Sequence, residues 1–179
     1  SAVKQYANKQ NLNILQPVNL KDETFIESLK ALDANLQIVV AFRMLPKVVW
    51  QMPSYGTFNL HASLLPDYRG AAPINWAIIN GETKTGVTTF FIDEKIDTGE
   101  IILQESVNIT PNESAGTLHD KLMDIGSQLV LKTVKLIEDN SVTTAVQPSN
   151  KNLNSAKKLD RETCKIDWND TLDNIYNKI

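Results

Sequence analysis

The sequence predicts an α/β domain, a sheet flanked by helices. Amphipathic helical stretches alternate with short apolar runs of strand length through most of the 179 residues, which is the rhythm of that class. The chain is also long enough to bury one real core, with hydrophobic residues at 42% and charged residues at 22%, the balance of an ordinary globular domain.

Each element has its own reason. Val3, Tyr6 and Ala7 share one face of a short opening helix, and the polar run from Asn8 to Asn11 stops it. Asn13-Ile14-Leu15 is a short strand candidate closed by Pro17. Asp22 can cap a helix whose Phe25, Leu29 and Leu32 form an apolar stripe. The run Leu36 to Phe42 is nearly all apolar and predicts a strand covered on both faces. Pro46 suits the first turn of a short helix through Val49, and Gly56 breaks the chain before the next strand.

That strand carries Phe58-Asn59-Leu60-His61, and Leu64-Leu65-Pro66 ends it because proline supplies no ladder donor. Beyond Arg69-Gly70-Ala71-Ala72-Pro73, a helix runs from Ile74 to about Asn80, with Gly81 as its C-cap. Strands follow over 86–92, rich in Thr, Val and Phe, and over 100–107, with the loop Asp93 to Gly99 between them. Ser114 opens the longest helix, which reaches about Glu138 with Leu118, Leu122, Ile125 and Leu129 on one face. A short strand is expected over 142–146, and from Gln147 the chain turns polar. Asn150, Asn152, Asn154 and Ser155 mark a linker, Ile166-Asp167-Trp168 an isolated anchor, and Thr171 to Ile179 a final helix.

Composition excludes several function classes. A single cysteine, Cys164, rules out an internal disulfide framework and a Cys-cluster zinc site, which fits a reducing, cytoplasmic setting. No apolar run has the length of a membrane span, and no basic-then-apolar leader is visible. A net charge of -3 argues against a chain-wide surface for nucleic acid. Locally, Lys151, Lys157, Lys158, Arg161 and Lys165 outnumber Asp160 and Glu162, as a solvated connecting segment or a weak guide for a polyanion would. Two histidines far apart, with no cysteine pair, make no metal-ligand set, and no Gly-rich phosphate loop occurs.

The chemistry concentrates around the strand at 58–61. Successive strand side chains alternate faces, so Asn59 and His61 look out of one side while Phe58 and Leu60 face the other. An amide donor beside a titratable imidazole suits a reaction in which an oxygen becomes negative. Asp97 in Asp97-Thr98-Gly99 is either a turn residue or a carboxylate able to orient an imidazole or take an amine's proton. Asp-Thr-Gly also marks aspartic proteases, but those are all-β and need two such carboxylates, and this chain has one copy among helices. His119 beside Asp120 reads as a surface residue, Ser63 and Thr98 as local hydrogen-bonders, and Cys164 as a structural or exposed free thiol. Arg69 could hold an anionic group or brace a loop.

Asn59-Leu60-His61, Ser63-Leu64-Leu65-Pro66, Arg69-Gly70, Pro73 and Asp97-Thr98-Gly99 stand in the order and spacing of the formyltransferase family that uses 10-formyltetrahydrofolate, and the chain resembles that family over nearly its whole length. Arg69 to Pro73 and Cys164-Lys165-Ile166-Asp167-Trp168 are most similar to the branch that formylates methionyl-tRNA. The resemblance implies a doubly wound, Rossmann-like, mostly parallel sheet with flanking helices. It further implies that residues 1–148 form a catalytic domain lacking the family's first strand, and that 149–179 lead toward an absent C-terminal β-barrel that helps hold tRNA.

By the same resemblance the catalytic set is Asn59, His61 and Asp97, and formyl transfer is direct, through a tetrahedral oxyanion. Ile92, Asp93, Ser63, Leu64 and Pro66 would contact the folate, and Arg69 and Gly70 the acceptor, with no metal. The acceptor is expected to be methionyl-initiator-tRNA, with no membrane and no stable protein partner. Relatives that formylate amino-sugar nucleotides or a glycinamide ribonucleotide, or that hydrolyse formyl-folate, share the same set, and the Arg69 to Trp76 run also resembles the sugar-nucleotide branch. A catalytically incomplete folate-binding piece is the other class of reading.

Overall fold

The structure is a computed structural model that describes residues 1–41, 43–148 and 152–179. In chain order the elements are α1 (Ala2–Lys9), α2 (Glu23–Lys30), β1 (Gln37–Val40), α3 (Lys47–Trp50), β2 (Thr57–His61), β3 (Arg69–Gly70), α4 (Pro73–Ile79), β4 (Lys84–Phe91), β5 (Ile101–Asn108), α5 (Ala115–Glu138), β6 (Ser155–Ala156) and α6 (Leu172–Lys178). The helix starts follow the capping chemistry of the sequence. Asp22 accepts from the Phe25 amide, Thr171 from Asn174, and Ser114 forms a reciprocal capping box with Thr117.

The main sheet has the order β1-β2-β4-β5. One face is roofed by α5 and α4. Val87, Leu118, Leu122 and Leu129 form the centre of that layer, with Leu60, Ile74 and Ile78 packed around it. Phe58 and Ile137 anchor a second cluster further along the same helix. Thr89 and Thr133 meet in this layer at 2.8 Å, so two buried hydroxyls satisfy one another. The other face is covered by the 62–68 turn. There the Leu65 amide donates to Thr88 Oγ1 at 3.1 Å, and Gln104 Nε2 donates to the Leu65 carbonyl at 2.9 Å.

The α/β class holds, and the pairing corrects the mostly parallel expectation. Within the main sheet β1 and β2 run parallel, while β2 with β4 and β4 with β5 are antiparallel. The reason lies in the connections: residues 92–100 are too few for the crossover that a parallel neighbour requires, so β5 folds back beside β4.

Other expectations are corrected by partners the chain lacks locally. Residues 13–15 form no strand, because no ladder meets them among the described residues. The 36–42 strand is shorter than expected, and Ile38 and Val40 are exposed because α5 reaches the β2 side of that face and leaves theirs open; Phe42 lies outside the described residues. The 142–146 strand reduces to a single bridge between Ala145 and Ile101. Trp168, expected as an anchor, is instead 72% exposed.

The polar tail returns to the body. β6 pairs with β3 in parallel, Trp76 Nε1 donates to the Lys157 carbonyl at 2.7 Å, and Tyr176 donates to Asn112 at 2.7 Å. Of the residues expected in that linker and its basic cluster, Asn150 and Lys151 lie outside the described residues.

Candidate active site

The site forms where β2 ends. Asn59 pairs across the ladder with Phe90 and His61 with Thr88, so strand alternation sets both polar side chains on one face. His61 is 6% exposed. Its Nε2 lies 2.8 Å from the Tyr68 carbonyl oxygen. A carbonyl can only accept, so Nε2 carries the hydrogen and Nδ1 is left to face Asp97 Oδ2 across 3.8 Å. That gap is longer than a hydrogen bond, and a proton at Nδ1 would be drawn toward the carboxylate.

Tyr68 has its own support. Its backbone takes φ 60, and its amide donates to Asn154 at 2.7 Å. Its hydroxyl donates to Glu82 and accepts from Asn80 Nδ2 at 3.0 Å. Burial, then the bond to Glu82, pushes the phenol up to about 12, so Tyr68 stays neutral and keeps its donor.

Asp97 arrives from the opposite side, on the loop between β4 and β5. Its backbone sits at φ 54, a region that costs a non-glycine residue about 1 kcal/mol. The Gly70 amide donates to its Oδ2 at 2.9 Å. Thr98 Oγ1 braces the same loop from 2.7 Å, by donating to Asp93. Gly99 has no room for a side chain, since a Cβ there would stand 1.7 Å from the Phe91 carbonyl oxygen. Gly70 is equally constrained: at φ +126, a Cβ would lie 2.4 Å from the Ala156 oxygen, where β3 meets β6.

A cleft of about 1540 Å³ opens here, and Asn59, His61, Gly70, Ile92, Asp93 and Asp97 are among the residues lining it. Inside it Asn59 Oδ1 is buried without a hydrogen-bond partner. A carboxamide exchanges its oxygen and nitrogen by rotating through 180°, so this buried polar position can accept from or donate to an incoming group.

The structure thus brings together Asn59, His61 and Asp97, with Ile92, Asp93 and Gly70 on the same walls. Ser63, Leu64 and Pro66 do not line the cleft: Ser63 is 1% exposed and donates to the Asp67 carbonyl, closing the turn that carries Tyr68 toward His61. Arg69 also points elsewhere, spending Nε and Nη2 on Gln147 Oε1 at 3.1 and 2.6 Å. His119, exposed beside Asp120, is also among the residues lining the cleft, and Cys164 is exposed.

Sequence reasoning missed Tyr68 and Gln147. Both act through contacts with residues remote in sequence, and neither stands in a local pattern that marks it. Among the described residues, no group of three or more His, Cys, Asp or Glu side chains is placed to hold a metal ion, and no helix is long and apolar enough to cross a membrane.

The chain is 66% identical over all of its 179 residues to the methionyl-tRNA formyltransferase of Flavobacterium johnsoniae. It is 62% identical over the same length to the enzyme of that name from Flavobacterium psychrophilum. It spans 57% of the length of each of these relatives. Among solved structures, the N-formyltransferase of Helicobacter canadensis, in complex with folinic acid and dTDP-3-aminofucose, superposes with a TM-score of 0.75 at 26% identity. That superposition covers 98% of this chain and 61% of the other. The family described as formyl transferase matches residues 1–134, three quarters of the sequence, and the chain belongs to that family.

Proposed function

We propose that this chain is the catalytic core of an enzyme that moves a formyl group from 10-formyltetrahydrofolate to the α-amine of methionyl-initiator-tRNA. The observation that carries this reading is the convergence of Asn59, His61 and Asp97 on one cleft, in a chain 66% identical to a relative named for that reaction. The buried Oδ1 position of Asn59 has no partner, and with the carboxamide turned through 180° Nδ2 takes that position and can donate to a bound formyl oxygen. The folate supplies an activated formyl carbon; the amine nitrogen bonds to that carbon, the bond to the folate nitrogen breaks, and the amine's proton is passed on to it.

The side chains divide that work. Asn59 donates its amide N–H to the formyl oxygen as negative charge grows there. His61, its Nε2 held by the Tyr68 carbonyl, presents Nδ1 toward the cleft and Asp97, and carries the proton. Asp97 stabilises the imidazolium and receives the amine's proton, directly or through water. Ile92 and Asp93 flank the folate, and Gly70 borders the acceptor's path. Ser63, Leu64 and Pro66 serve the folate site indirectly, by shaping the turn. Residues 1–148 are the catalytic unit in this reading, and 149–179 lead on from it.

An amino-sugar nucleotide is the second acceptor to consider, because a superposable structure holds one. The test offers the full-length protein 10-formyltetrahydrofolate with charged methionyl-initiator-tRNA or with a dTDP-amino sugar. Formyl-methionyl-tRNA is the expected product. Product with the sugar alone overturns the acceptor, and product with neither overturns formyl transfer.

A further inference from the structure

Gln147 lies outside the set of residues that touch the reacting groups, and its position is unusual for a residue in a polar segment. It is 8% exposed, and its carboxamide is saturated at both ends. Nε2 donates to the Asp97 carbonyl at 3.0 Å and to the Gly99 carbonyl at 2.7 Å. Oε1 accepts from Arg69 Nε and Nη2 at 3.1 and 2.6 Å. The neighbouring Ala145 exchanges two backbone hydrogen bonds with Ile101, both 2.9 Å, which fixes the segment that delivers Gln147.

We infer that Gln147 is the positioning residue of Asp97, a clamp joining the two segments that aim its carboxylate at His61. The Asp97 side chain is held by the Gly70 amide, next to Arg69, and its main chain is held by Gln147. One side chain therefore ties the loop bearing the carboxylate to the strand bearing its amide donor. The backbone of Asp97 sits at φ 54, and two carbonyl bonds from a single buried donor keep the loop from relaxing out of it. Glutamine suits the task because it donates and accepts at once. Glutamate would keep the bond to Arg69 and turn oxygen against two carbonyls; methionine would fill the space and offer neither bond.

The inference rests on the formyl-transfer reading for its kinetic arm only. In the full-length protein, Gln147→Glu and Gln147→Met are compared with wild type and with Asp97→Asn, each alone and in combination. Both Gln147 variants are expected to lower kcat at least about tenfold while leaving KM for the formyl donor within about twofold, and to lower it no further when Asp97 is already Asn. The 15N imidazole shifts of His61 are expected to move in both single variants, because the facing carboxylate is displaced. Gln147→Glu keeps its tie to Arg69 and carries the test if the methionine variant does not fold.

Unchanged kcat with unchanged His61 shifts overturns the inference, as does an equal loss of kcat in the Asp97→Asn background, which would mark a general structural role. If wild type transfers no formyl group to any amine, the reaction assignment fails instead, and the His61 shifts still decide whether Gln147 sets the His61 and Asp97 geometry.

Discussion

His61 and Asp97 face one another across 3.8 Å, and different physics delivers each of them. His61 sits on β2, where two neighbouring ladders fix the backbone and the period of two decides which way the ring looks. Asp97 sits on a loop in a left-handed conformation, aimed by an amide 27 residues earlier in sequence and a carboxamide 50 residues later. A residue on a strand inherits its direction from the sheet. A residue on a loop must be given one by contacts from far along the chain, and the loop arm of this site is the one most easily lost.

The largest effects come from removing either arm. His61→Ala and Asp97→Asn in the full-length protein are each expected to cost at least about 2 kcal/mol of transition-state stabilisation, read as kcat/KM for formyl transfer. Near-wild-type turnover in either variant removes that arm from the mechanism. Next is Gly99→Ala, which breaks the loop and spares the strand. Its Cβ would collide with the Phe91 carbonyl, so the loop must shift; activity should fall at least about tenfold and thermal unfolding should reveal about 2 kcal/mol of lost stability. An unperturbed alanine variant would show that the close approach is not needed.

Tyr68→Phe probes the support of the strand arm and is expected to cost about 1 kcal/mol of stability, with a smaller effect on turnover. Its pH dependence has a definite sign. The folded phenol titrates at about 12, above its ordinary 10.0, so the stabilisation it adds is complete below pH 10 and is lost as pH rises toward 12. Chemical denaturation should show the gap between wild type and the phenylalanine variant closing over that window. The smallest effect is the control, Ser114→Ala at the start of α5. It removes a cap whose side chain bonds Thr117 and neither arm, and should lower stability by about 1 kcal/mol with kcat/KM unchanged.

The same contrast explains what could be read before the structure. Asn59 and His61 were legible as a pair because alternation along a strand is a local rule, and the caps at Asp22 and Ser114 were legible because capping spans only three residues. Asp97 was readable as a candidate, through its motif, but the φ of its backbone and the donor on its carboxylate were not. Ser63, Leu64 and Pro66 read as ligand contacts, and the structure sets them off the walls of the cleft, with Ser63 buried and its hydroxyl given to the Asp67 carbonyl that closes the turn. The exposure of Ile38 and Val40 was hidden as well, since an apolar run does not say which neighbours reach it.

By itself the sequence determined the periodic elements, their caps and the face that carries Asn59 and His61, since all of these follow from interactions within a few residues. The tertiary structure alone decided the antiparallel return of β4 and β5, the meeting of β3 with β6, and the clamp that Gln147 places on Asp97. These depend on hydrogen bonds between segments tens of residues apart, and such bonds exist only once the chain has closed around them.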